Sequence, residues 1–187
     1  MTPAEKKDDE NKDDKPKDRS VAVMISPFHL IFPVVEITAE IRVHERIGVA
    51  VIGGIGSIDP YQFNQTKPPA GVKTGRFTVW ELGGQFVTYP VGHFDHGMQL
   101  GAEILYAGVA GSAESATDSA TGTATGLSMG PFIGYKFTAP IGFSLALQGG
   151  VAYVTAKADA KSSTGQTSSA SDSQVAPLIN INIGWAF

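Results

Sequence analysis

The chain of 187 residues contains no cysteine, which excludes a disulfide framework, a cysteine-ligated zinc site and a thiol nucleophile. It also lacks any run of about 18 consecutive apolar residues, the length that a transmembrane helix needs. The positive charge typical of nucleic-acid-binding domains is missing too, because the net charge is −4 and the isoelectric point is about 5.5. We therefore expect no nucleic-acid partner, and the length suits one domain with its own core.

Charged residues are scarce outside the first 19 positions. Residues 1–19 carry 6 of the 14 basic and 7 of the 18 acidic residues, so residues 20–187 have about half the charge density of an ordinary globular domain. Segment 1–19 includes Pro3 and Pro16 and has no apolar periodicity. Because it cannot bury enough apolar surface to offset its ordering entropy, we expect a disordered, charged tail.

The rest of the chain alternates between apolar and small or polar residues. In segment 178–187, Ile179, Ile181, Ile183, Trp185 and Phe187 share one face, whereas asparagine, glycine and alanine occupy the other. Similar alternation predicts eight strands, of which the first is the least regular: 20–26, 34–43, 46–55, 76–89, 96–110, 127–137, 143–155 and 178–187. No segment has the periodicity of an amphipathic helix. The fold class is therefore all-β, with antiparallel hairpins.

The polar face of these strands is too poor in charge to be the surface of a soluble protein. Its charged residues are Glu36, Glu40, Arg42, Glu81, Glu103 and Lys136. Small residues with a few opposed charges suit a crowded interior, which leaves the apolar face toward lipid. Strands of about 9–11 residues cross a membrane when tilted, and in lipid the sheet must close. We therefore predict an eight-stranded antiparallel up-and-down transmembrane β-barrel over 20–187. A soluble, lipocalin-like ligand carrier is the alternative.

Short and long connections alternate along the chain, as in outer-membrane barrels with tight periplasmic turns and longer outer loops. Segments 44–45, 92–95 and 139–141 are short, which places the tail 1–19 in the periplasm, whereas 57–75, 111–125 and 158–173 are long. The Ser- and Thr-rich segments 112–125 and 161–173 are expected to be flexible, hydrated loops. If any loop recognises an extracellular ligand, we expect it to be 59–75, which contains Tyr61, Phe63, Lys67 and Lys73.

The C-terminal residues 179–187, with Ile183 and Trp185 before the terminal Phe187, resemble the last strand of Gram-negative outer-membrane barrels. This resemblance implies that Ile183, Trp185 and Phe187 are read by the barrel-assembly machinery. Residues 20–187 as a whole resemble the small eight-stranded barrels of the OmpX, OmpA and OmpW kind. The resemblance implies a bacterial outer-membrane location, the lipid bilayer as a partner, and prior removal of a signal peptide, since residues 1–15 contain no apolar stretch of that kind.

The six charged residues of the polar face suggest what the barrel does. Arg42 and Lys136 neutralise only part of four glutamates, and charges inside a narrow barrel must pair or become neutral. The favoured interpretation is a side-chain plug in a protein with a structural or surface-interaction role. The alternative is a narrow channel for small polar solutes or cations, because glutamate rings favour cations.

Catalysis is not expected. His93, Asp95 and His96 have no standard metal or hydrolase spacing and lie in a predicted turn, and His29 and His44 are given structural roles. A lipid-acting hydrolase of the outer leaflet is the third hypothesis, but it needs a Ser–His–acid group. His93 and His96, the two histidines that lie close together in the sequence, are predicted to lie at the periplasmic end, away from the outer leaflet. The sequence therefore predicts neither a cofactor nor a metal.

Overall fold

The computed structural model describes residues 19–31, 34–58, 72–73, 77–115 and 119–187. The strands are β1 (Val21–Ile25), β2 (Val34–His44), β3 (Ile47–Ile58), β4 (Val72–Lys73), β5 (Phe77–His93), β6 (His96–Ser115), β7 (Ser119–Thr138), β8 (Phe143–Ser162) and β9 (Thr167–Ala186). One 3₁₀ turn, His29–Ile31, joins β1 to β2. None of the helices in the described ranges has the length and apolar character to span a membrane.

The sheet closes on itself. Neighbouring long strands pair antiparallel, and the first strand pairs with the last from Ala22↔Ala186 to Ile25↔Ile183. Strand β4 stands outside this ring, because it only extends the edge of β6 through Val72↔Ser115 and Lys73↔Glu114. The predicted eight-stranded antiparallel up-and-down barrel is confirmed, including its first strand.

One end of the barrel, here called the turn end, contains the short connections 45–46, 94–95 and 139–142. Gly142 has a φ of 104°, a conformation that favours glycine, and its N–H donates to the carbonyl of Ala139 at 2.8 Å. Both ends of the barrel chain also lie there, because the N–H of Ser20 donates to the carbonyl of Phe187 at 2.8 Å. The other end, here called the loop end, contains the 3₁₀ turn.

At the loop end, two segments differ from the sequence prediction. Strands β6 to β9 each span 20 residues, so the interpretation of 111–125 and 158–173 as loops is wrong for the described residues except 163–166, which form the turn between β8 and β9. Pairs such as Ala110↔Thr123 and Asp159↔Ser169 continue the hairpins there. These residues lack apolar alternation because both faces of the extended hairpins lie largely exposed. The alternation therefore marks the barrel wall and not the full length of the strands.

The wall has its polar face inside and its apolar face outside. In β9, Asn180 and Asn182 are 8% and 2% exposed, whereas Ile179 and Trp185 are 53% and 43% exposed. The same contrast runs through the other strands, and Leu147 of β8 is 47% exposed. This arrangement is the reverse of a water-soluble barrel, whose apolar side chains fill the interior.

Candidate functional site

The interior of the barrel is filled by polar side chains around one buried ion pair. Lys136 of β7 is fully buried, and its Nζ donates to Oε2 of Glu40 on β2 at 2.7 Å. The same ammonium lies 3.6 Å from the centroid of the Phe94 ring. Gly48 makes room for the carboxylate, because a Cβ there would collide with Glu40. Burial of both charges is tolerable because each has a close partner.

A chain of hydrogen bonds leads from this ion pair across the lumen. The hydroxyl of Tyr89 donates to Oε1 of Glu40 at 2.5 Å, and Nε2 of Gln99 donates to the Tyr89 hydroxyl at 3.1 Å. Nε2 of Gln148 then donates to Oε1 of Gln99 at 3.1 Å. Four strands are thereby linked through neutral groups that can rotate to satisfy one another.

Glu103 of β6 ends this chain among amides. Its Oε2 accepts hydrogen bonds from Nε2 of Gln85 and Nδ2 of Asn180, both at 2.7 Å. The same two amides also donate to Oε1 of Gln148, at 3.1 and 3.2 Å. Charge-assisted bonds from the two amides stabilise the Glu103 carboxylate.

The turn end is closed by residues of the connection between β5 and β6. Phe94 is 1% exposed and packs edge-on against Tyr89, with ring centroids 6.2 Å apart. Asp95, the next residue, forms an ion pair with Arg19, in which Nη1 of Arg19 lies 3.8 Å from Oδ2 of Asp95. Nη2 of Arg19 also donates to the carbonyl of Pro140 at 2.6 Å. Burial raises the pKa of the Asp95 carboxyl, and the nearby Arg19 guanidinium opposes this shift.

Near the loop end, a second cluster combines Glu36 of β2, Glu81 of β5 and His29 of the 3₁₀ turn. One ligand atom from each lies within 4.8 Å of the others. Nδ1 of His29 is 3.5 Å from Oε2 of Glu36 and 2.8 Å from the hydroxyl oxygen of Ser26. Both glutamates are at least nine-tenths buried, and Oε1 of Glu81 has no hydrogen-bond partner among the described residues.

The structure thus separates the six charged residues predicted for the lumen. Glu40 and Lys136 pair, Glu36 and Glu81 meet near the loop end, and Glu103 lies between amides. The sixth, Arg42 of β2, is half-buried, and its backbone N–H donates to the carbonyl of Ser20 at 2.8 Å near the turn end.

Several members of the lumen network were missed by the sequence prediction, namely His29, Gln85, Tyr89, Phe94, Gln99, Gln148 and Asn180. Gln85, Gln99, Gln148 and Asn180 share the strand face of the charged residues, so the same alternation could have included them. His29 and Phe94 lie in connections, where alternation gives no information.

The other predicted site residues lie elsewhere. Ile183, Trp185 and Phe187 are on the outer side of the seam between β1 and β9, where Trp185 packs against Phe143 with centroids 6.1 Å apart. Their role as an assembly signal stays a prediction. Of the expected recognition loop, Tyr61, Phe63 and Lys67 fall outside the described residues, and only the backbone of Lys73 is described, in β4.

Comparison with known proteins bears on the fold. The crystal structure of a major outer membrane protein from Thermus thermophilus superimposes with a TM-score of 0.55 over 90% of this chain and 98% of that one, at 12% sequence identity. The similarity at this identity concerns the fold alone. No protein-family model matches the chain, and neither does any curated protein sequence.

Proposed function

We propose that the protein is an integral β-barrel of a Gram-negative outer membrane, with a plugged lumen and a structural or surface-interaction role. The observation that carries this proposal is the orientation of the wall, with exposed apolar and buried polar side chains. A broad apolar exterior is costly in water but matches hydrocarbon. The shared fold with an outer membrane protein supports the location, and membership among barrels of the OmpX, OmpA and OmpW kind remains a prediction from the sequence.

The membrane proposal is tested by dilution from urea. With phosphatidylcholine vesicles present, we expect the chain to fold, float with the lipid in a density gradient, and resist protease over the barrel wall. Diluted into buffer alone, it should aggregate, because the apolar wall has no hydrocarbon to cover it. A folded monomer in detergent-free buffer would contradict the proposal and favour the soluble ligand carrier.

The plug distinguishes the structural role from a channel. The ion pair of Lys136 and Glu40, the amides around Glu103 and the ring of Phe94 fill the lumen at successive levels. In planar bilayers at high salt, we therefore expect no stepwise conductance from the wild-type barrel. Reproducible cation-selective steps, inhibited by antibody against the protein, would establish the narrow channel instead.

The contacts of His29 weigh against a lipid-acting hydrolase. A catalytic triad needs the serine on one ring nitrogen of histidine and the acid on the other. Here Ser26 and Glu36 both approach Nδ1, and Ser26 is only 1% exposed. His29 therefore does not have the geometry of a catalytic triad.

The proposed assembly signal makes a separate prediction. We expect Phe187→Ala to reduce the amount of barrel assembled in cells several-fold. The purified variant should still fold into detergent micelles, because the Phe187 ring is largely exposed and contributes little packing to the folded barrel. Phe137→Ala is the matched control, since it removes another exposed aromatic ring near the turn end that packs against His96 and not against the signal residues. If both variants assemble in cells as well as the wild type does, Phe187 is not an assembly signal.

A further inference from the structure

We propose that His29, Glu36 and Glu81 bind one divalent transition-metal cation, Zn²⁺ by their donor chemistry, inside the lumen near the loop end. The three residues come from three different elements, the 3₁₀ turn, β2 and β5, and contribute one imidazole nitrogen and two carboxylate oxygens. The site goes beyond the proposed function, and the sequence prediction, which expected no metal, does not include it.

The spacing of the donor atoms suits a cation of this size. Zinc bonds of about 2.0–2.2 Å place the ligand atoms of a tetrahedral site about 3.4 Å apart. The imidazole of His29 and the carboxylate of Glu36 already lie 3.5 Å apart, and all three donor atoms lie within 4.8 Å. Binding requires the Glu81 carboxylate to move closer to the other two donors than the 4.8 Å limit of the metal-free cluster.

The charge around the cluster also calls for a cation. The buried cations Lys136 and Arg19 pair with Glu40 and Asp95 and not with the cluster. Buried carboxylates without a cationic partner are costly. A divalent cation would neutralise Glu36 and Glu81, which Lys136 and Arg19 do not.

An independent observation points to a missing ligand at the same place. Oε1 of Glu81 is buried and has no hydrogen-bond partner among the described residues. The residue is only 9% exposed, so bulk water has little access to this oxygen. The space around this atom depends on Gly54 of β3, where a Cβ would collide with the carboxylate. Buried polar atoms normally have partners, and a bound cation is the partner that this oxygen lacks.

The donor set selects the class of metal. Ca²⁺ and Mg²⁺ prefer all-oxygen sites, whereas an imidazole with carboxylates suits Zn²⁺, Co²⁺ and related ions. In this structure the hydroxyl of Ser26 lies 2.8 Å from Nδ1 of His29, so a metal bound through Nδ1 takes the place of that hydrogen bond. Three protein ligands leave a fourth position for water.

The test is metal titration of the full chain, folded in detergent micelles and treated with EDTA before use. We expect one Zn²⁺ per chain with a Kd in the micromolar range or below, measured against a chromogenic chelator, and a Co²⁺ absorption spectrum that shows nitrogen ligation. Glu81→Gln, which keeps the shape of the side chain, and His29→Gln should each weaken Zn²⁺ binding at least tenfold.

His44→Gln is the matched control, because it removes an exposed histidine at the turn end and should leave binding unchanged. Circular dichroism and melting in micelles establish that each variant is folded. If Glu81→Gln does not fold, the more exposed ligand His29 still decides the question. Failure of the wild type to bind Zn²⁺, equal binding by Ca²⁺, or undiminished binding by folded His29→Gln would overturn the site.

Discussion

Replacing Lys136 by methionine is expected to lower the free energy of unfolding by about 3–5 kcal/mol, the range seen when one partner of a buried ion pair is removed. The substitution keeps the unbranched apolar part of the side chain but leaves the carboxylate of Glu40, which is 2% exposed, without this cation. The Tyr89 hydroxyl then remains as a donor to that carboxylate. Urea unfolding in micelles, followed by tryptophan fluorescence, measures the effect.

Two controls separate the lost charge pair from lost packing. The double variant Lys136→Met/Glu40→Gln removes both charges and should recover a large part of the stability, because a neutral amide is far less costly to bury. Lys161→Met changes an exposed lysine of β8 and should leave the urea midpoint within error. A single variant as stable as Lys161→Met would show that the ion pair contributes nothing.

Replacing Leu147 by arginine is expected to destabilise the barrel in lipid by about 2–4 kcal/mol, as measured for arginine near the bilayer midplane of other barrels. Leu147 lies on the outer face of β8, opposite Tyr135 of β7 and Ile181 of β9. A half-exposed position on a soluble protein would tolerate the same change within about 0.5 kcal/mol. The loss of stability caused by Leu147→Arg therefore distinguishes a wall covered by lipid from a wall exposed to water.

The matched substitution is Ser169→Arg, which adds the same charge to an exposed position of the hairpin extension. There we expect no measurable change, because the extension is placed beyond the hydrocarbon. Reversible unfolding from vesicles gives both free energies. Equal effects at the two positions would be incompatible with a lipid-covered wall.

The alternation of the sequence was sufficient for the wall but not for its contents. Asn180 and Ile179 show why the faces could be assigned, since side chains alternate sides with a period of two wherever one face is buried. Which lumen groups meet depends on the stagger between strands. The contact of Lys136 with Glu40, far apart in sequence, required the closed ring and could not be deduced from either strand alone.

The hairpin extensions illustrate a second limit of sequence reasoning. Residues such as Thr123 and Ser169 have the composition of a hydrated loop, and nothing apolar signals their pairing. Their backbone pairing continues the register of the same strands in the barrel wall. The strand therefore extends from the paired wall segment and is not specified by the local sequence. Loop composition predicted exposure there, but it did not predict secondary structure.

The seam between β1 and β9 has a kinetic consequence. It joins nearly the two extremes of the chain through pairs that run only from Ala22↔Ala186 to Ile25↔Ile183. Ring closure therefore joins the two strands that lie farthest apart in sequence, and it carries the largest loop entropy of any pairing among the described strands. Folding should then be slow, with an open sheet as the species most exposed to aggregation.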